Sequence, residues 1–320
     1  MLVDKIFENA PTRTILAPMA GYTDMAFRHI CRQFGVGLTV TEMISSKAVT
    51  MNNAVTNSML LRSPSDAPCF VQIFGHEPDV MAQSVLSPYL SGYEGVDINM
   101  GCPVRKIVGN GDGSALLENP QLASKCISAV KQAIGNKPLS VKYRLGVSDD
   151  LGVVDFTKMC KDSGADFVTV HFRTRKQMYA GTADYSRLEQ ICSVGLPVFA
   201  NGDICTKEQY NQLINRGAYG VAIGRGAVGK PYLFSQIANQ PFCMDLLEVI
   251  TLHAQMLLEV FNARVVCNEL KKHVVAYLKG MRKAKNTIIA VNSSKDVQQI
   301  LQLVEQFLEE NPIYKRISND

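Results

Sequence analysis

At 320 residues, 47% of them hydrophobic and 19% charged, the chain has room for one large domain or two ordinary ones and the composition of a soluble globular protein. A formal net charge of +4 is too small to point to a nucleic-acid partner without local clustering. The N-terminus MLVDKIFENAPTRTILAPMAG lacks the layout of a secretory signal, and no apolar run of about eighteen residues suggests a membrane span. Nine cysteines, an odd count with no C-x-x-C pair, read as reduced thiols in a cytoplasm and leave no cysteine-rich metal site.

Eight short apolar or β-branched runs follow in chain order: residues 14–20 (TILAPMA), 37–43 (GLTVTEM), 68–74 (PCFVQIF), 95–100 (GVDINM), 139–145 (LSVKYRL), 167–172 (FVTVHF), 197–203 (PVFANGD) and 219–225 (YGVAIGR). Their nearly continuous apolar character is that of parallel strands covered on both faces. Amphipathic segments predict helices between them, among them 24–34, 78–90, 120–134 and 207–216, with Asn119 and Pro120 as a cap and first-turn proline. Eight such units in roughly 230 residues predict a (β/α)8 TIM barrel, with an open doubly wound sheet as the competitor. From about Met244 no further strand is expected. Residues 245–320 read as a C-terminal helical bundle, with Val274, Tyr277, Leu278 and Met281 as an apolar stripe, so the expected division is 1–240 and 245–320.

In such a barrel the carboxyl ends of the strands carry the chemistry. Here they bear Pro18, Met19 and Ala20, then Gln72, then Asn99 and Cys102, then Lys142 and Arg144, then His171 and Arg173, then Asn201, Gly202 and Asp203, and last Gly224 and Arg225. The last two groups have the composition of a phosphate cradle, although ordinary strand-end turns would look the same. Gly224-Arg-Gly-Ala-Val-Gly229 spells a dinucleotide fingerprint, but no following strand ends in a ribose-binding acid. Lys142, His171 and Gln72 are either paired groups of a barrel mouth or ligands for the polar edge of a planar ring. Cys102, between a strand and Pro103, is either structural or an acid, since a thiol of ordinary pKa near 8.5 is mostly protonated at neutral pH. The segment 264–285 holds seven cations against Glu269. With Arg173, Arg175 and Lys176 it is either a solvated face or a track for a phosphate backbone.

The ordered set LAPMAGYTDMAFR (16–28), VQIFG (71–75), DINMGCPVRKIVGNGDGSALL (97–117), VKYRLG (141–146), HFRTRKQMYAGTADY (171–185), ANGDI (200–204) and GVAIGRGAVGKPYLF (220–234) resembles the flavin-dependent tRNA-dihydrouridine synthases. KKHVVAYLKGM (271–281) resembles that family's helical tRNA-binding domain. The resemblance implies FMN at the barrel mouth with NADPH as reductant. It places Pro18, Met19 and Ala20 along the isoalloxazine, Gln72 and Lys142 on its polar edge, and His171 beside it. Asn201, Gly202, Asp203, Gly224 and Arg225 would lie on the phosphate and ribityl chain. It makes Cys102 the acid that protonates C5 of uracil while hydride reaches C6 from flavin N5. Tyr185 and Tyr232 stand where relatives often carry tryptophan, which this chain lacks. Arg105, Lys106, Arg173, Arg175, Lys176, Lys272, Lys279, Arg282 and Lys283 are the expected contacts to tRNA. A cytoplasmic monomer with no metal and no membrane partner is expected. The alternatives are a flavin barrel reducing a small molecule, of the dihydroorotate or enone reductase kind, and an RNA-binding chaperone with a vestigial barrel.

Overall fold

Alternation along the strands builds this molecule. The computed structural model describes residues 2–53, 56 and 59–319. Strands β1 (Thr14–Leu16), β2 (Leu38–Ser45), β3 (Cys69–Phe74), β4 (Gly95–Met100), β5 (Leu139–Arg144), β6 (Phe167–His171), β7 (Val198–Asn201) and β8 (Gly220–Ile223) are parallel and close into a barrel in chain order. The closing pair is β1 on β8, with Ile15 opposite Ala222. The expected eight-stranded barrel is therefore the fold, and the open sheet is excluded.

Between the strands run α1 (Met25–Gln33), α2 (Pro78–Val85), α3 (Pro120–Ile134), α4 (Val153–Asp162), α5 (Leu188–Cys192) and α6 (Lys207–Asn215), and α7 (Leu233–Ala238) follows β8. Their ends carry their own signals. Asp24 caps α1 by accepting from Phe27 N at 2.8 Å, and Asn119 with Pro120 opens α3. Thr206 and Gln209 form a reciprocal capping box on α6. The helix expected over 78–90 comes in two pieces, because Pro88 stops it and opens a 3-10 turn, Pro88–Leu90.

Outward residues of the strands, such as Val71, Ile98, Val141, Val170 and Val221, join the helices in one apolar cluster. Inward residues form two layers. The lower one is apolar: Ile15, Leu38, Val40, Phe70, Phe167 and Phe199 fill it, and Phe7 closes it from below by stacking on Phe199 at 5.2 Å. Two glycines make room for these rings, since a Cβ on Gly95 would lie 2.4 Å from Phe70 and one on Gly220 would lie 2.4 Å from Phe199. Two residues beyond Phe70, Phe167 and Phe199 the interior turns polar, at Gln72, Thr169 and Asn201, which sets the site at the carboxyl end.

After the barrel come α8 (Leu246–Leu258), α9 (Ala263–Leu278), α10 (Lys285–Ser293) and α11 (Val297–Glu310). The expectation of no further strand is corrected here. Cys243–Asp245 and Arg316–Ser318 pair antiparallel as β9 and β10, with Met244 opposite Ile317. Three-residue strands carry too little alternation to announce themselves. The ribbon ties the two ends of the helical tail together. The apolar cluster runs without a break from the outer face of the barrel into the tail, through Leu246, Ile250, Val266 and Leu270.

Candidate active site

The upper interior layer gathers Asn99 from β4, Lys142 from β5, His171 from β6 and Asn201 from β7, with Asn99, His171 and Asn201 each 8% exposed. Register explains the grouping, because Asn99 pairs with Lys142 and His171 pairs with Asn201 across adjacent strands. Lys142 Nζ donates to Asn201 Oδ1 at 3.2 Å, and Asn201 Nδ2 donates to Ala222 O at 2.7 Å. Burial and the neighbouring Arg144 push Lys142 down to about 8, while Asp97 and Cys102 oppose the shift. His171 falls to about 2 through burial and then through Lys142, Arg144, Arg173 and Arg225, so its imidazole is neutral.

Cys102 stands half-buried just past β4, held from both sides. Asn99 Oδ1 accepts from Gly101 N at 3.1 Å and from Cys102 N at 2.9 Å. Ser114 Oγ donates to Cys102 O at 2.8 Å, and Arg144 Nε donates to Gly101 O at 2.8 Å. The segment after the cysteine is a short helix, Arg105–Gly109, and a 3-10 stretch, Gly113–Glu118, that folds back over it. Gly113, at φ +60°, packs where a Cβ would lie 3.0 Å from Cys102 O. Burial raises the Cys102 pKa, outweighing the Val104 amide, Arg144 and Lys142. The thiol is thus kept protonated at neutral pH, which suits a proton donor.

Beside this, Gly202 (φ +133°) and Asp203 (φ +51°) turn the chain after β7. Asp203 accepts from Arg173 Nη2 at 2.6 Å and from Arg225 Nη2 at 3.3 Å. Tyr179 stands at the rim with the Arg144 and Arg225 guanidiniums 5.5 and 5.3 Å from its ring centroid. Gly224 faces Met19, since a Cβ there would lie 3.2 Å from Met19 Sδ. The rim therefore offers glycine backbone, an exposed Arg225 and a buried Arg173 Nη1 with no partner. Such a donor set fits an anionic group beside a planar one. A separate recess lined by Leu2, Ile6, Gly37, Pro68 and Pro138 opens at the amino ends of the strands, away from Cys102.

The structure sets the expected site residues in distinct surroundings. Gln72 is fully buried: Nε2 donates to Asp97 Oδ2 at 2.6 Å, and Oε1 accepts from Asn99 Nδ2 at 2.9 Å. Both ends of its amide are thus engaged by β4, where it supports Asn99. Arg173 is 2% exposed; its Nε and Nη2 bond Ala180 O, Gly181 O and Asp203, and its buried Nη1 is left without a partner. Lys272 lies against Gly21 and bonds Glu269 at 2.5 Å, at the seam between tail and barrel. Arg175 pairs with Glu118 through two bonds, at 2.7 and 2.9 Å. Arg105, Lys106, Lys176, Lys279, Arg282 and Lys283 are exposed as expected. Asn99, Arg144 and Asp97 complete the site; their place on alternate inward positions of β4 and β5 was the available signal.

At the seam, Asp24 Oδ2 accepts from His253 Nε2 at 3.2 Å and lies 3.5 Å from His273 Nε2, with both imidazoles buried. These three groups have ligand-like spacing among the described residues. However, the carboxylate already caps α1 and accepts from His253, and neither Nδ1 has the partner that normally orients a ligating histidine. They form a clasp between α1, α8 and α9.

Fold and site together define a (β/α)8 enzyme with a thiol, a lysine and a neutral histidine at the carboxyl ends of the strands. The family model for dihydrouridine synthase (Dus) matches residues 15–311, and the chain belongs to that family. It is 34% identical over 307 residues to a probable tRNA-dihydrouridine synthase of Rickettsia conorii, covering 92% of each chain. It is 33% identical over 312 residues to tRNA-dihydrouridine synthase B of Pseudomonas aeruginosa, covering 94% of each. The old yellow enzyme homologue of Zymomonas mobilis shares the fold, with a TM-score of 0.53 at 15% identity over 74% of this chain and 91% of that one. No helix among the described residues is long and apolar enough to cross a membrane.

Proposed function

We propose that the chain reduces the 5,6 double bond of uridine in tRNA, with FMN as its cofactor and NADPH as reductant. The observation that carries this is Cys102, a thiol kept protonated by burial and anchored through Asn99, Gly101 and Ser114 at the barrel mouth. Lys142, Asn201, Asp203, Gly224 and Arg225 are the residues that would hold the flavin, and Pro18, Met19 and Ala20 would border it. Bound and reduced, the flavin supplies the hydride that reaches C6. The negative charge developing at C5 then takes the Cys102 proton, so one hydride and one proton saturate the bond. Lys142 stabilises negative charge beside the ring. His171, neutral, adds no charge that would compete with it.

A uridine within a folded tRNA has to leave its stack to reach the mouth. Arg105 and Lys106 follow the catalytic cysteine directly, and Lys176 lies on the loop after β6. Lys279, Arg282 and Lys283 follow α9, which passes beside the ends of β1 and β8: Lys272 touches Gly21, and a Cβ on Gly229 would meet Ala276 O at 2.5 Å. These cations would hold the phosphates around the flipped base, which makes the tail a tRNA-binding element. Incubating the protein with NADPH and bulk tRNA from a strain lacking dihydrouridine tests the reading. Mass spectrometry should count new dihydrouridine. A yellow protein that consumes NADPH and leaves every uridine intact would refute it in favour of a small-molecule reductase.

A further inference from the structure

The structure assigns Asp97 as a positioning residue for Cys102, acting through the side chains of Gln72 and Asn99. This rests on Cys102 being the proton donor. Asp97 is 2% exposed in the middle of β4, opposite Gln72 on β3 and Ser140 on β5. Its Oδ1 accepts from Ser140 Oγ at 2.5 Å and its Oδ2 from Gln72 Nε2 at 2.6 Å. From Gln72 the bonds continue through Asn99 to the amides of Gly101 and Cys102, at the distances given above.

The two ends of this relay are chemically fixed. A carboxylate oxygen accepts from Gln72, and backbone N–H groups can only donate. Between them stand two side-chain amides, each with one accepting and one donating end. Only one arrangement satisfies every contact: both nitrogens point toward Asp97 and both oxygens toward Cys102. Reversing either amide would set donor against donor or acceptor against acceptor. The polarity follows from the end groups and does not depend on how the amide atoms were assigned. Removing the carboxylate frees Gln72 to turn, and a turned Gln72 lets Asn99 turn its nitrogen toward the amides it now anchors. Cys102 is followed by Pro103, which has no N–H of its own to bond, so the amides that Asn99 can hold are those of Gly101 and Cys102.

Site-resolved alkylation of Cys102 tests the relay without turnover, read by peptide mass spectrometry so that the exposed Cys205 and Cys243 do not contribute. Iodoacetamide is the probe, with the protein as purified. Gln72→Met keeps the volume and removes both bonds. Loosening the anchor exposes the thiol and returns its pKa toward the ordinary value, so Cys102 alkylation at neutral pH should rise by about threefold or more. Single-turnover uridine reduction by Asp97→Ala should fall about 10²-fold, with NADPH-driven flavin reduction kept within about twofold.

Asp97→Asn can still offer an oxygen to Gln72 while donating to Ser140, so its Cys102 alkylation should stay near wild type. Asp97→Ala, which offers none, should match Gln72→Met; thermal melting identifies any variant that fails to fold, and the Gln72 variant then decides. Unchanged Cys102 alkylation in a folded Gln72→Met protein would overturn the assignment. Were the wild type to make no dihydrouridine, the functional reading would fall, while the alkylation comparison would still report on the relay.

Discussion

Cys102 shows what a single residue owes to its surroundings. A thiol of ordinary pKa would already be mostly protonated at neutral pH, and burial raises it further. With Cys102 as the proposed proton donor the protonated form is the working one, so uridine reduction should be flat through neutral pH and fall only as pH rises past the ordinary thiol value of about 8.5. A stopped-flow profile of the tRNA-dependent step checks this, and an alkaline limb below that value would be inconsistent with the buried thiol. The residue type and its place before Pro103 were legible in the sequence. The anchors were not, since Asn99, Ser114 and Arg144 meet Gly101 and Cys102 only after two strands and a returning loop come together.

At the scale of elements, α1 is the hinge of the design. Arg28 on it is buried against Asp66 at 2.9 Å and donates to Thr23 O at 2.8 Å, pinning the loop that follows β1. Arg28→Met would leave the buried Asp66 with only Arg62, at 3.4 Å, and should cost about 3 kcal/mol in urea unfolding. The clasp at the amino end of α1, one turn before Arg28, is sensitive to acid. Burial and then His253 push His273 down to about 4, while burial raises Asp24 and the two histidines more than offset it, leaving Asp24 well below its ordinary range. A depressed histidine pKa means that the unfolded chain binds the proton first. Stability is therefore present above about pH 6.5 and is lost as pH falls toward 4, by at most about 3 kcal/mol. Urea midpoints measured at pH 7.5, 6 and 4.5 should decline in wild type, and the decline should flatten in His273→Gln. The strands and most helices were legible because apolar alternation and caps are local signals. The bonds of Gln72 to Asp97 and Asn99 were not legible, because sequence gives the face of a strand but not the layer within a barrel. The burial of Arg173 was not legible either, because its partner Asp203 lies a strand away.

For the whole molecule, the continuous core joining barrel and tail changes how the tail can be tested. Deleting it would strip apolar surface from α1 and the outer barrel, so lost binding would be confounded with lost stability. Charge reversal at exposed positions avoids this. The double variant Lys279→Glu/Arg282→Glu should weaken tRNA binding uniformly across sequences and reduce the salt slope of binding by about 2. Flavin reduction by NADPH should be untouched. An unchanged slope would place the tRNA elsewhere on the surface.

The central claim is that Cys102 gives the proton that completes uridine reduction, and a split half-reaction tests it most directly. Cys102→Ala enzyme would be reduced with NADPH and then mixed with tRNA lacking dihydrouridine. Flavin reduction should match wild type, whereas tRNA-dependent reoxidation and dihydrouridine formation should slow by about 10²–10⁴-fold. Dihydrouridine formed by the variant at the wild-type rate would contradict the account.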